Sequence, residues 1–450
     1  MGKLFGTDGI RGIVNETLNA ELAFEVGCAA AQVLAKNTGK KKPLFVIGKD
    51  TRISSDLLEG ALVAGLCSAG ANVLHLGVIP TPGVAYLTIY SKADAGIVIS
   101  ASHNPFEHNG IKIFNSQGFK LSDALENEIE DIVLFNKKPP LCKGADIGKV
   151  TYGDERELNA YIDHLASTVD TDFAGMRILV DCANGAASAT APQLFARFQN
   201  LHADVINAAP NGVNINLDCG STHIDHLAQQ VVAGNYDLGI AFDGDADRCL
   251  AVDENGILID GDQVMAVCGM ELEKKGELPE HTLVATVMSN LGFHIFAKEH
   301  GLNLVCTAVG DRNVLEEMER GGFVLGGEQS GHTIFRKYAT TGDGELTALQ
   351  LLAVLYSLGK KPSEAVSFCV RYPQTLLNVP VATKEKKEEI MASQALKAAI
   401  QQTEQELDGS GRVLVRPSGT EPLVRVMVEA REESVALLQA QNLANLIKTL

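Results

Sequence analysis

Three carboxylates alternate with small residues in Asp243-Gly244-Asp245-Ala246-Asp247-Arg248, directly after an apolar run at 238–242. Hard cations take clustered oxygen ligands, and small intervening residues let such a loop curl until its carboxylates converge. Acids this close repel one another unless a cation joins them. Asp243, Asp245 and Asp247 therefore read as ligands for Mg2+, with a solvated acidic turn as the plain alternative. An EF-hand does not fit, because its sixth position would be Arg248 instead of Gly and both flanks read as strands.

A second polar loop, Ser100-Ala101-Ser102-His103-Asn104-Pro105, follows the run 96–99. A loop serine is a nucleophile only when activated, and Ser, Asn and Pro also build ordinary turns. No G-x-S-x-G occurs in the chain, which weighs against an α/β-hydrolase. A serine beside a metal suits phosphoryl transfer better than acyl transfer. His103 and His108 are either metal ligands or surface histidines. The turn Arg416-Pro417-Ser418-Gly419-Thr420-Glu421-Pro422, with Arg425 behind it, offers two guanidinium forks, two hydroxyls and a glycine amide. That set suits a phosphate cradle; a Pro/Gly turn with solvated arginines is the alternative. In Gly327-Glu328-Gln329-Ser330-Gly331-His332 the polar side chains suit hydrogen bonds to sugar hydroxyls or an amine. Arg11, in Gly6-Thr7-Asp8-Gly9-Ile10-Arg11-Gly12, is a phosphate contact or part of a surface turn, and its glycine spacing matches neither a Rossmann fingerprint nor a P-loop.

Loops of this kind need strands to hold them. Apolar runs at 44–48, 96–100, 177–181, 238–242, 283–287 and 323–325 read as strands, and 55–69 and 122–135 as helices between them, which is an α/β pattern. Three times a β-run opens a unit, at 43–48, 177–181 and 282–287. Three times a later run ends in one of the polar loops, at 100–105, 243–248 and 327–332. Three similar units, each aiming one loop at a shared centre, account for this, since sites in open α/β sheets lie at the carboxyl ends of strands. The tail differs. A helix is expected over 384–407, then a β-hairpin around 416–422 and a last helix from about 433, with the joint to the rest of the chain near 370–379.

The 450 residues are 46% hydrophobic and 21% charged, which excludes intrinsic disorder and calls for several cores. A net charge of −18 repels nucleic acid and anionic membranes, so a phosphate site must be locally basic. Nine scattered cysteines without a C-x-x-C fit a reducing compartment. With no signal-like apolar segment and no 18-residue apolar run, a cytoplasmic protein is expected, with no nucleic-acid or membrane partner.

Taken in order, F-G-T-D-G-I-R-G at 5–12, S-A-S-H-N-P at 100–105, G-I-K at 110–112, D-G-D-A-D-R at 243–248, G-E-Q-S-G-H at 327–332 and R-P-S-G-T-E-P at 416–422 resemble the α-D-phosphohexomutase superfamily across the whole chain. The resemblance implies an α/β protein of three similar mixed α/β domains, at 1–152, 153–254 and 255–368, plus a smaller C-terminal α+β domain at 369–450 that closes over a phosphate. It implies a phosphoserine at Ser102, which joins Asp243, Asp245 and Asp247 around Mg2+. Arg11, Lys112 and His103 match positions near the transferring phosphoryl, and Lys112 is the acid/base candidate, its pKa lowered by neighbouring cations. Arg248, Glu328, Ser330 and His332 match sugar-side positions, and Arg416, Ser418, Gly419, Thr420 and Arg425 the phosphate loop.

The reaction implied is exchange of a phosphoryl between the 6- and 1-positions of a sugar phosphate through a hexosamine 1,6-bisphosphate. Gln329 and the opening motif lean towards amino sugars, with a product that feeds UDP-N-acetylglucosamine synthesis. Mannose and glucose phosphates are the alternative substrates. A metal-dependent phosphatase and a non-catalytic sugar-phosphate binder are the rival classes. A protein kinase or a bisphosphate would first phosphorylate Ser102.

Overall fold

The computed structural model describes residues 4–6, 8–135, 140–418 and 422–450. The chain packs as two compact units, Met1–Met288 with Leu302–Ser367, and Ser289–Gly301 with Phe368–Leu450. The larger unit holds three sheets. In the first, β1 (Ile10–Ile13), β2 (Leu44–Lys49), β3 (Asn72–Val78), β4 (Ala95–Ile99), β5 (His108–Asn115) and β6 (Val150–Tyr152) lie in the order β1-β5-β4-β2-β3-β6. In the second, β7 (Arg177–Asp181), β8 (His202–Ile206), β9 (Leu238–Phe242), β10 (Cys249–Asp253) and β11 (Leu258–Ile259) lie in the order β11-β10-β9-β7-β8. In the third, β12 (Thr282–Thr286), β13 (Asn303–Thr307), β14 (Leu325–Gly327) and β15 (Thr333–Phe335) lie in the order β13-β12-β14-β15.

One wiring recurs in all three. The opening strand pairs in parallel with the next two: β2 with β3 and β4, β7 with β8 and β9, β12 with β13 and β14. The third of these strands then turns back into an antiparallel neighbour: β4 into β5, β9 into β10, β14 into β15. Parallel neighbours need crossovers, and helices supply them at Ile53–Ser68 and Thr81–Tyr90, Ala187–Phe195 and Ile224–Gly234, Leu291–Glu299 and Asp311–Gly321. The repeat expected from sequence is therefore a repeat of topology. Each polar loop is the tip where the third strand reverses. The strands β4, β9 and β12 are buried at every residue, which is why they read as unbroken apolar runs without alternation.

The smaller unit carries β16 (Gln374–Pro380), β17 (Gly411–Pro417) and β18 (Leu423–Ala430) in the antiparallel order β16-β18-β17. Val424, Val426 and Val428 alternate inward and pack with Leu443 and Ile447 of the helix Glu433–Thr449. The buried Glu429 accepts from Leu291 N–H at 2.9 Å, Asn290 Nδ2 at 3.1 Å and Arg412 Nε at 3.0 Å. A carboxylate at a helix N-terminus is favourable, so Glu429 fastens the helix Leu291–Glu299 to this sheet.

Three sequence expectations need correction here. The helix expected over 384–407 is two, Lys384–Ala392 and Gln394–Leu407, because Ser393 adopts extended backbone (φ −60°, ψ 132°). The segment taken as a joint near 370–379 contributes β16, a partner of β18. The strand expected at 323–325 begins at its last residue and runs through two glycines, as Leu325–Gly327. None of the nine cysteines is in a disulfide, and among the described residues no helix is long and apolar enough to cross a membrane.

Candidate active site

Ser102 lies just past β4 with φ +52° and is 1% exposed. A non-glycine residue in this region is strained by about 1 kcal/mol or more and persists only where its surroundings impose it. Its N–H donates to Ser100 Oγ at 2.9 Å, and its carbonyl accepts from Arg52 Nη2 at 3.0 Å and Asn216 Nδ2 at 2.9 Å. Arg52 is itself buried against Asp50, which also accepts from Ser100 Oγ at 2.5 Å and Ser55 Oγ at 3.1 Å. The sequence reading missed Asp50, Arg52 and Asn216. The signal available for the first two was a pair of charges placed at the carboxyl end of an apolar strand.

The acidic loop comes up against this serine from β9. Ser102 Oγ donates to Asp243 Oδ2 at 2.5 Å. Only glycine fits at 244, where a Cβ would stand 2.5 Å from the Ser102 carbonyl oxygen. Asp243, Asp245 and Asp247 are buried, with one oxygen of each within 4.8 Å of the others. Asp245 Oδ1 and Asp247 Oδ1 are buried and accept no hydrogen bond among the described residues. Converging hard oxygens with unfilled lone pairs are what a divalent cation takes, so the three residues fit one. Among the described residues neither His103 nor His108 joins that group. Burial, then Asp247 and Asp245, pushes the Asp243 carboxyl well above the usual range. Asp247 is pushed up by burial too, but Lys112, His332 and Arg248 outweigh it and hold the group below the ordinary value.

Lys112 reverses an expectation. Its ammonium is 1% exposed and lies 2.9 Å from Asp245, 3.1 Å from Asp8 and 3.6 Å from Asp247. Burial works to lower its pKa and Arg11 adds to that, but Asp245, Asp8 and Asp247 prevail and raise it. Lys112 is thus a held cation and not a depressed base. Neighbouring motifs showed its cations; the carboxylates come from two distant stretches of chain, at 8 and at 245–247. Arg11, on β1, is half-buried and pairs with Asp8. Lys120 binds both Asp8 and Asp311, which adds three further residues to the site that the sequence reading passed over. A fourth is Thr81, whose Oγ1 donates to Asp245 at 2.6 Å.

His103 Nδ1 is 3.4 Å from Ser102 Oγ. Burial, then Arg248 and Arg11, pulls its pKa down to about 4, so the ring is neutral at ordinary pH. Arg248 donates its backbone N–H to Asp243 Oδ1 at 3.2 Å. The buried His332 sets Nδ1 3.7 Å from Asp247, while its Nε2 accepts from Gly342 N–H at 3.1 Å. Burial works to lower its pKa, but Asp247, Asp311 and Glu328 prevail and raise it. In the third loop Glu328 accepts from Gly310 N–H at 3.0 Å and from Ser330 Oγ at 3.4 Å.

In the smaller unit, Arg416 on β17 stands opposite Arg425 on β18. Burial and then Arg425 lower the Arg416 pKa. Two arginines at paired positions of a hairpin suit an anion. Ser418 is buried, and its carbonyl accepts from Lys387 Nζ at 2.6 Å. Gly419 and Thr420 lie outside the described residues.

Four family models of phosphoglucomutase/phosphomannomutase match: α/β/α domain I over residues 2–139, domain II over 159–256, domain III over 260–372 and the C-terminal domain over 376–446. Phosphoglucosamine mutase of Caldanaerobacter subterraneus subsp. tengcongensis is 53% identical over 100% of this chain and 99% of its own length. That of Acetivibrio thermocellus is 54% identical over the same shares. Among solved structures, a phosphoglucomutase/phosphomannomutase family protein from Burkholderia thailandensis superposes with a TM-score of 0.81 at 22% identity, covering 100% of this chain and 98% of that one. Aspergillus fumigatus N-acetylphosphoglucosamine mutase, solved in complex with GlcNAc-6P and magnesium, gives 0.71 at 18% identity, covering 99% of this chain and 95% of that one.

Proposed function

We infer the reaction from one premise: the chain belongs to the phosphoglucosamine mutase family, among the phosphohexomutases. It interconverts glucosamine 6-phosphate and glucosamine 1-phosphate. The observation that supports this most is Ser102 Oγ held at 2.5 Å from Asp243 in a buried, strained loop, which is where a phosphoserine would face three metal-type carboxylates.

In the first half-reaction the phosphoryl on Ser102 passes to the C1 hydroxyl of glucosamine 6-phosphate. The hydroxyl oxygen bonds to phosphorus as the P–Oγ bond breaks, the hydroxyl proton passes to Ser102 Oγ, and glucosamine 1,6-bisphosphate forms. The bisphosphate then turns over. Ser102 Oγ takes the phosphoryl from the 6-position, releasing glucosamine 1-phosphate. Phosphoryl transfer depends on positioning and charge neutralisation more than on covalent chemistry. Asp243, Asp245, Asp247 and a phosphoserine oxygen would hold Mg2+, which when bound neutralises charge on the transferring group.

Lys112, Arg11 and Arg248 supply fixed positive charge in the same place. Lys112, already protonated, serves as donor and not as base. Neutral His103 is the group placed to hold the Ser102 proton. His332 carries its Nδ1 proton towards Asp247. Glu328 and Ser330 orient the sugar, while Arg416, Ser418, Gly419, Thr420 and Arg425 bind the phosphate that is not reacting. The hexosamine 1,6-bisphosphate is also the activator that restores phosphoserine; a protein kinase is the other priming route. The reading places the enzyme in the cytoplasm.

Phosphorus NMR tests this reading. With Mg2+ and a trace of hexose 1,6-bisphosphate, a 1-phosphate resonance is expected to grow fastest from glucosamine 6-phosphate. A faster signal from glucose or mannose 6-phosphate would overturn the substrate, and free phosphate without isomerisation would overturn the mutase.

A further inference from the structure

Gln329 is the residue of the sugar loop that leans towards amino sugars, and its side chain is already engaged. Its Nε2 donates to Asp260 Oδ2 at 3.1 Å. Its backbone carbonyl accepts from Gly261 N–H at 3.0 Å. Asp260 is buried and is the N-cap of the helix Gly261–Lys275, where its other oxygen accepts from Gln263 N–H at 3.1 Å. The loop lies directly on this helix start: a Cβ at Gly261 would stand 2.2 Å from the Glu328 carbonyl oxygen and 2.9 Å from Gly331 N. On either side of Gln329, Glu328 is oriented by Gly310 and Ser330.

We propose that Gln329 is a positioning residue, a strap that ties the sugar loop to Asp260 and so sets Glu328 and Ser330, and that it does not itself read the sugar. The proposal rests on the sugar-phosphate reading above and deepens it. A rigid, helix-capped carboxylate is a good anchor for a loop, since the cap fixes one oxygen and leaves the other aimed at the strap. The pairing also rejects acid at 329: a glutamate there would set carboxylate against carboxylate. Because the strap acts on the loop as a whole, its loss weakens every sugar alike.

The test compares Gln329→Glu, Gln329→Met and the double variant Asp260→Asn/Gln329→Glu with the wild type. Dissociation constants for glucosamine 6-phosphate and glucose 6-phosphate are measured by calorimetry, and kcat and KM for glucosamine 6-phosphate by coupled assay. A hydrogen bond to a charged group underlies the effect, so Gln329→Glu is expected to weaken both sugars by about tenfold. Gln329→Met, which removes the donor without adding repulsion, is expected to weaken both by about threefold. The change falls on KM, with kcat held within about twofold, because the Ser102 loop is untouched.

In the double variant asparagine keeps the cap oxygen and its amide donates to the new glutamate, so binding returns to near wild type. A double variant no better than Gln329→Glu would overturn the strap. So would a defect in either single variant confined to glucosamine 6-phosphate, because a residue that reads the amine would behave that way. The wild-type rate in the same series checks the reaction separately: no turnover with both sugars still bound would contradict the mutase, while the binding constants would still decide the strap.

Discussion

On the proposed function the buried cluster around Ser102 and the hairpin of the smaller unit both meet phosphate, and their chemistry differs. Around Ser102 every cation faces carboxylate: Lys112 faces Asp245 and Asp8, Arg52 faces Asp50, Lys120 faces Asp8 and Asp311. Among the described residues two buried carboxylate oxygens of that cluster, Asp245 Oδ1 and Asp247 Oδ1, still lack a hydrogen bond. On the hairpin, Arg416 stands opposite Arg425, and burial together with that neighbour lowers its pKa. In the proposed function one region would take a cation beside its nucleophile and the other an anion. On the proposed reading the difference is one of complement: the buried carboxylates suit a cation and the arginine-bearing hairpin suits an anion.

The largest effect is expected from Ser102→Ala, which deletes the phosphoryl carrier and leaves the surrounding hydrogen bonds to its backbone. Turnover should fall by at least about 10⁴-fold with the melting temperature little changed, read by steady-state assay and calorimetry. Residual turnover near the wild-type level would move the carrier elsewhere.

On the other side of the comparison, Arg416→Ala and Arg425→Ala each remove one charge-assisted contact. An increase in KM of about 10- to 100-fold, with kcat changed far less, is expected. A pure kcat loss would show that the hairpin acts in chemistry and not in binding.

The smallest effect sharpens the cost of burying acids. Asp343 accepts from Tyr161 OH at 2.9 Å and caps the helix Gly344–Leu358, and burial pushes its pKa to about 6. Unfolded, the same group titrates near 4. Between those values the folded chain binds the extra proton, so stability falls as pH rises through the interval and stays lower above it. Asp343→Asn keeps the cap and removes the titration. It should stabilise the protein by about 1–3 kcal/mol at pH 8 and by much less at pH 4, measured as denaturant midpoints. Equal effects at both pH values would show that Asp343 is charged throughout.

How far the chain could be read depended on whether a feature was local. The Asp triad, the Ser102 loop and the β17–β18 hairpin each lie within a few consecutive residues, so their chemistry shows in the string. The threefold wiring was visible because the opening strands and the loop-bearing β4 and β9 have apolar centres without alternation. Asn216 and Lys120 act on residues distant in sequence, and nothing in their neighbours says so, while Asp50 and Arg52 showed only as charges at the end of an apolar strand. Lys112 was misjudged in sign for the same reason. Strand β16 alternates weakly and ends in proline, as an edge strand can, and so resembled a linker. Gly326 and Gly327 carry no strand signal of their own. Ser393 breaks a helix within a stretch, Met391-Ala392-Ser393-Gln394, that any helix would tolerate.

The central claim is that Ser102 itself carries the phosphoryl between the two positions of the sugar. Enzyme bearing radiolabelled phosphate on Ser102 would be mixed with excess unlabelled glucosamine 6-phosphate and Mg2+, quenched within one turnover, and its label located by peptide mapping and chromatography. The label is expected to leave Ser102 and appear in the bisphosphate and then in glucosamine 1-phosphate. Label that stays on Ser102 while 1-phosphate accumulates, or that leaves only as free phosphate, would contradict the account.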